Sequence, residues 1–534
     1  MNISGGTIED SFNAFNSEVN VTGGAVGSFF EAFDSVVNIS GGQVGPNFDA
    51  ESGSVVNISG GEVDTNFDAR SGSVVNISGG EVGTNFDAEN GSEVNISGGV
   101  LGENFDAFSG SVVNISGGFI GRDFDAFDGS TINLSGGEFQ LNGVAVTNST
   151  ISVGDNDVFS GTLADGTSFI FSDTSDELSE VNLSVVPLTA ADTTPVVISS
   201  LNTGDPVNLR SGQTLTVAAG GVTGDNLAAV NATVNIQAGL VGDDAETAGS
   251  LVNISGGTIE DSFNAFNSEV NVTGGAVGSS FLAGSGSVVN ISGGEVGSFS
   301  DATGNSVVNI TGGEIGSSFE AFDSVVNISG GEVGSSFDAE SGSVVNISGG
   351  EVGTNFDALD GSEVNISGGV VGTEFDAFDG SEVNISGGVV GAGFDAFDGS
   401  VVNISGGEVG TDFDAFGGSV VNISGGVFGD VFAAFDGSEV NLLGSEFFLA
   451  GELIDASTLD GAFTISDRAV TLSGILNDGS RFSFDLNPIE SSGNDFFASG
   501  ATLTVTVASV PEPSSALALL GLGGLTMLRR RRTA

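Results

Sequence analysis

An asparagine recurs at a fixed period through most of this chain, each time inside Val-Asn-Ile-Ser or a close variant. The first series is Asn2, Asn20, Asn38, Asn57, Asn76, Asn95, Asn114 and Asn133, in steps of 18 or 19 residues. A second runs Asn253, Asn271, Asn290, Asn309, Asn327, Asn346, Asn365, Asn384, Asn403, Asn422 and Asn441, again in steps of 18 or 19. A period this short, in a Gly-rich and β-branched sequence, predicts a stacked β-solenoid. One coil cannot bury its own apolar side chains, so many coils must stack and share a core.

The repeat at Gly53–Ala69 shows how. Alternation with period two turns Val56 and Ile58 inward and Asn57 and Ser59 outward. The pair Gly60-Gly61 is expected to break the strand and make a corner, because glycine turns tightly at low steric cost. Val63 starts a second inward segment; Phe67 and Ala69 point inward from a third, with Asp68 outward between them. A Ser-Gly-Ser or Asp-Gly-Ser turn closes the coil, and its glycine is the residue missing from 18-residue copies such as Phe33-Asp34-Ser35-Val36. The expectation is three short strands per coil, stacked in register at about 4.8 Å with right-handed crossovers. Regular Gly-Gly pairs with Val and Ile enrichment disfavour helix throughout.

Composition excludes several functions. The formal net charge is −61, lysine is absent, and only five arginines precede the last six residues. Nucleic acid is therefore not an expected partner, since phosphate contacts need a basic surface. Without Cys there are no disulfides or thiolate zinc sites, and without His the Ser-His-Asp and Cys-His constellations are ruled out.

The period divides the chain into a first solenoid array, residues 1–137, and a second, residues 201–444. Residues 2–28 repeat as 253–279, yet in the second copy divergent coils and a lead-in from Leu201 to Thr216 come first. The sequence therefore predicts a first array that begins in mid-solenoid, with its natural start upstream of Met1; the alternative is a genuine start on an uncapped coil. Between the arrays, residues 138–200 are read as a β cap and linker, and residues 445–508 as a second β cap. Each cap follows a Glu-Phe pair, Glu138-Phe139 and Glu446-Phe447, and each contains an Asp-Gly hairpin, at Asp165-Gly166 and Asp478-Gly479. They are placed to cover the open edge of the last coil.

Residues 509–534 differ in kind. Val510-Pro511-Glu512-Pro513 precedes an apolar run from Ala516 to Leu528 and the cluster Arg529, Arg530, Arg531 and Arg532. The run is short for a full membrane span, and the arginines read as a stop that stays cytoplasmic. This tail resembles the PEP-CTERM sorting signal, a motif also known as an ice-binding-protein C-terminal domain. The resemblance implies an exosortase partner, processing near Val510-Pro511-Glu512-Pro513 and transient anchoring in the membrane by a short helix. It also implies a destination on the outer surface or in the extracellular matrix of a Gram-negative bacterium. The repeats are loosely similar to the passenger repeats of autotransporter adhesins, in period and composition only.

Candidate sites follow from rows. Asp338, Asp357, Asp376, Asp395 and Asp414 recur in register, as do Asp49, Asp68, Asp87, Asp106 and Asp125. Such a row is a candidate for weakly bound Ca²⁺, which takes several oxygens, against the simpler reading of solvated, solubilising carboxylates. The asparagines predict a stacked amide ladder; the same Asn-Ile-Ser and Asn-Val-Thr triplets also read as glycosylation sequons. Two residues past each Asp lie Leu359, Phe378, Phe397, Phe416 and Phe435, where earlier copies have Glu51, Arg70 and Glu89. If exposed, these form an apolar contact stripe; if folded over the corner, they are packing. No catalytic residue and no obligatory cofactor is assigned. The reading is an all-β, exported structural or adhesive solenoid that touches extracellular polysaccharide or its own copies. The alternatives are a secreted polysaccharide-acting β-helix enzyme and an ice-binding solenoid.

Overall fold

The computed structural model describes residues 1–507 except 10, 155–156, 173–177, 192, 202–205, 455–460 and 491–492. Among them there is no helix; the chain is a right-handed parallel β-solenoid with a β cap after each array. It divides into two units, residues 1–346 with 350–353, and residues 347–349 with 354–534.

In the first unit the coils of both arrays pair as expected. Val55–Val63 joins Val74–Val82 in parallel, with Val56 opposite Val75, Asn57 opposite Asn76 and Ile58 opposite Ile77. The short strand Phe67–Ala69 joins Phe86–Ala88, so that Phe, Asp and Ala each meet their own kind. The second unit repeats this, for example between Glu363–Val371 and Glu382–Val390. Inward positions are dry: Val56, Ile58, Val63, Phe67 and Ala69 are each at most 1% exposed. Burying such Val, Ile and Phe side chains contributes about 1.5–3 kcal/mol apiece, and the stack supplies them coil after coil.

The corner differs from the expected break. Each regular coil has two strands, a nine-residue strand that runs on through Gly-Gly and a three-residue one. The ladder slips at the glycines, where Ser59 faces Gly79, and is restored by Glu62 opposite Glu81. The glycines bend the strand without ending it, as a bulge does. Gly61 has φ +85°, and a Cβ on Gly60 would lie 2.9 Å from the Ser40 carbonyl oxygen of the coil before. Both positions thus require glycine, one for its dihedral and one for the close approach of the next backbone.

After the first array, Phe159–Leu163 and Ser168–Phe171 form the hairpin, and Thr131–Leu141 pairs with it antiparallel. The counterpart in the second unit is Thr471–Leu476 with Arg481–Asp485, against Glu439–Leu449. Each cap also lays down a parallel strand that imitates a coil. Leu178–Val185 pairs in register with the last coil, Asn133 opposite Asn182, and Thr502–Val507 does so with Asn441 opposite Thr504. Cap phenylalanines then close the core: Phe171 stacks on Phe124 at 5.1 Å, and Phe484 lies 5.0 Å from Phe432. Val196–Ile198 pairs in parallel with Thr214–Val217, ahead of the second series of coils.

Candidate functional site

Alternation on the long strand puts the asparagines on one outer row. Each Nδ2 donates to the Oδ1 of the preceding coil, as from Asn57 to Asn38 at 2.9 Å and from Asn422 to Asn403 at 2.8 Å. In the first array the ladder passes into the cap, where Asn182 donates to Asn133 at 3.0 Å. One N–H of each amide is used in this way, and at several rungs the second is used too, from Asn95 to Glu93 at 3.2 Å, from Asn403 to Glu382 at 3.1 Å and from Asn441 to Glu439 at 2.9 Å, so the outward row offers mainly the amide oxygens.

The short strand carries the aspartates, half-buried between inward Phe and Ala. In register, Asp376 lies opposite Asp357 and Asp395, and Asp395 opposite Asp414. Burial pushes the Asp357, Asp376 and Asp414 carboxyls up, and neighbouring acids add to it. Asp395 is pushed up to about 7, by burial and then by Asp414, Asp376 and Asp412. Asp338 stands in the same row, opposite Glu320. In the first array Asp87 is raised to about 6 by burial, Asp68, Asp106 and Glu89. There Arg70 lies across the row, 2.9 Å from Asp49 and 3.1 Å from Asp68.

Leu359, Phe378, Phe397, Phe416 and Phe435 are all partly exposed. The rings stack face to face, with centroids 4.8, 4.9 and 4.7 Å apart from Phe378 to Phe435 and planes within 9°. Phe435 then meets Phe496 of the cap edge-on at 5.2 Å. The row is therefore neither free in water nor folded into the core, and it lies just past the short strands that carry the aspartates.

Other arrangements were not foreseen in the sequence. A serine precedes the long strand of the regular coils and is buried in them: Ser54 is 0% exposed, and its Oγ donates to the Ala32 carbonyl at 2.6 Å, whereas Ser17 near the start of the first array is exposed. A second amide ladder links Asn47, Asn66, Asn85 and Asn104 at 2.9–3.1 Å, each with positive φ. Its signal was the Asn-Phe-Asp-Ala tetrapeptide, whose asparagine suits a left-handed turn. Within the first unit, Arg122 donates to Asp244 at 2.6 Å and to the Ser262 carbonyl at 2.9 Å, and its Nε lies 3.4 Å from Glu246. Burial pushes Glu246 up while Arg122 pulls it down. A cavity of about 200 Å³ beside them is lined by Phe124, Phe171, Ser172 and Asn264 among others. The carboxylates of Asp225, Asp243 and Glu260 also gather within 4.8 Å of one another, at the surface.

The sorting residues Val510, Pro511, Glu512 and Pro513 and the cluster Arg529, Arg530, Arg531 and Arg532 lie outside the described residues. Residues 509–532 match the PEP-CTERM protein-sorting motif. No curated protein matches the chain significantly. A solved structure of a TibA55-350 fragment, hyper-glycosylated by TibC, aligns over 82% of this chain and 98% of its own, with 15% identity and a TM-score of 0.13. The sorting motif implies an exported protein that an exosortase processes and that associates with a membrane. The chain is thus a parallel β-solenoid that carries a PEP-CTERM protein-sorting motif at residues 509–532.

Proposed function

We propose that this protein is a structural and adhesive solenoid of the cell surface or extracellular matrix, which holds extracellular polysaccharide or further copies of itself. The observation that carries this is the ring row Phe378–Phe397–Phe416–Phe435, stacked and partly open to water on successive coils. Exposed contiguous apolar surface usually marks a contact site. On this reading the protein is not an enzyme and needs no cofactor. A glycoside-cleaving site would need two unspent acids, whereas Asp244 and Glu246, which flank a cavity, both hold Arg122. Its home is the outer surface of a Gram-negative bacterium, reached through transient anchoring by the tail.

The test replaces Phe378, Phe397 and Phe416 with serine, because glutamate would crowd the adjacent aspartates. Cells carrying the variant should lose most of their aggregation or matrix retention while the protein keeps its melting temperature. Normal adhesion would remove the ring row from the function, and loss of folding would make it packing. Fractionation with and without residues 509–534 checks the location: the full chain should be found at the surface and the truncated one should not.

A further inference from the structure

Each array has a groove in the same place, on the Asn-Ile-Ser row of the last coils before its cap. In the first unit it holds about 180 Å³ and is lined by Asn95, Ser97, Asn114, Ser116, Asn133 and Ser135, with Ile96 and Ile115 between them. In the second it holds about 380 Å³ and is lined by Asn403, Ser405, Asn422, Ser424 and Asn441, and by Thr506 of the cap strand. The two places are built alike. The hairpin turn of each cap reaches back over the Gly-Gly corner: Asp165 accepts from Gly118 N at 2.8 Å, and Asp478 accepts from Gly426 N at 2.9 Å. The backbone beside these turns binds the groove serines, from Asp165 N to Ser116 O at 3.2 Å and from Asn477 N to Ser424 O at 2.9 Å. The cap turn thus borders each groove, and in the second unit the cap strand also enters the lining through Thr506.

We infer that these two grooves bind an uncharged, extended polysaccharide chain lying along the coil-stacking axis. The inference rests on the proposed function and names the ligand class for it. Three properties carry it. First, the lining is uncharged in both grooves, in a protein of net charge −61. An anionic chain would be repelled by the rest of the surface, and a cationic one would be drawn to the aspartate rows instead. Second, the polar groups are already fixed: each amide is held by its neighbour at 2.7–3.0 Å, from Asn95 through Asn133 and from Asn403 through Asn441. Little side-chain order is lost on binding, which favours even weak hydroxyl contacts. Third, the amide oxygens and serine hydroxyls repeat at the strand spacing of about 4.8 Å, while carboxylates such as Glu93 and Glu439 take up the second N–H of Asn95 and Asn441, so a linear polymer of hydroxyl-bearing units can donate to the row in sequence, whereas a compact small molecule meets one rung.

The experiment is calorimetric titration of the full chain with neutral β-linked hexasaccharides, cellohexaose and mannohexaose, and with hexagalacturonate as the charged probe. At least one neutral hexamer should bind saturably at two sites per chain, and hexagalacturonate should not bind. Ser97→Ile and Ser405→Ile each fill one groove at an exposed strand position that suits a β-branched residue. Each should reduce the stoichiometry to one, and the pair should weaken binding at least tenfold with an unchanged melting temperature. Should the double variant fail to fold, the single variants carry the test, since they alter different units. No saturable binding of either neutral hexamer, or binding that both single variants leave at two sites, overturns the inference. Preferential binding of hexagalacturonate overturns it as well. Adhesion through the ring row is scored separately, so a negative titration with ring-dependent adhesion removes the grooves and leaves the proposed function standing.

Discussion

Asp395 offers a quantitative test of how the acidic row is held. Its carboxylate is half-buried between Asp376 and Asp414, and burial followed by these neighbours and Asp412 raises it from 3.8 to about 7. A raised folded pKa means the native state binds the proton more tightly than the unfolded chain. The resulting stabilisation is fully present below pH 3.8 and is lost as pH rises through about 7. A shift of about three units is worth roughly 4 kcal/mol at 1.36 kcal/mol per unit. A half-exposed group is strongly screened, so about 1–2 kcal/mol is the expected remainder. Asp395→Asn keeps the shape and cannot ionise. Urea unfolding should therefore show the variant about 1–2 kcal/mol more stable at pH 8 and equal to the parent within a few tenths at pH 4. A variant no more stable at pH 8, or one that gains as much at pH 4, would refute the reasoning.

Ca²⁺ added at pH 8 should raise the melting temperature of the parent and do so less for Asp395→Asn; equal responses would place any bound ion elsewhere. Gly60→Ala should lower stability by on the order of 2 kcal/mol, since its methyl meets the Ser40 carbonyl at 2.9 Å, and chemical unfolding reads this directly. Val431 holds φ +72°, a left-handed conformation that costs a β-branched residue about 1–2 kcal/mol, so Val431→Asn should stabilise by about 1 kcal/mol in the same assay. Arg122→Met removes the cation from Asp244 and the buried Glu246, and should cost about 2–3 kcal/mol at pH 8 with a smaller loss as pH falls, since burial raises the Glu246 carboxyl and favours its neutral form.

The coil was legible because its signals agree. Period-two alternation set Val56 and Ile58 inward, and the 19-residue step set Asn57 beside Asn76. The corner was read as a break because propensity treats a glycine pair as an end. It cannot register that the same ladder resumes two residues later, with Glu62 opposite Glu81. In the caps the hairpins were visible through Asp-Gly, but the parallel strand after the first was not, although Val181-Asn182-Leu183-Ser184 differs from the repeat tetrapeptide Val-Asn-Ile-Ser only at Leu183. It stands 49 residues from Asn133, outside the period, and only the fold brings the two together. The ring row shows a different limit: partial exposure depends on how a side chain lies across a corner, which composition does not encode.

The two identical stretches show what stacking contributes beyond sequence. Residues 2–28 and 253–279 are the same, yet Phe15 is 58% exposed and Phe266 only 3%. Phe266 lies between Ala248 and Gly284 of the strands on either side, while Phe15 pairs with Phe33 alone. Burial in a solenoid is thus a property of neighbours, and a side chain becomes surface or core according to what stands on the next coil. The same logic separates the interior coils from the ends. Where every coil repeats its neighbour, the surface can offer only rows, and rows suit extended or multiply repeated partners. Where a cap replaces a coil, the symmetry breaks. There Asp165 and Asp478 reach back over their glycine corners, and there the grooves form. An array of near-identical coils can therefore change length, as these two do, without altering these grooves, because each lies on the last coils, bordered by the cap turn.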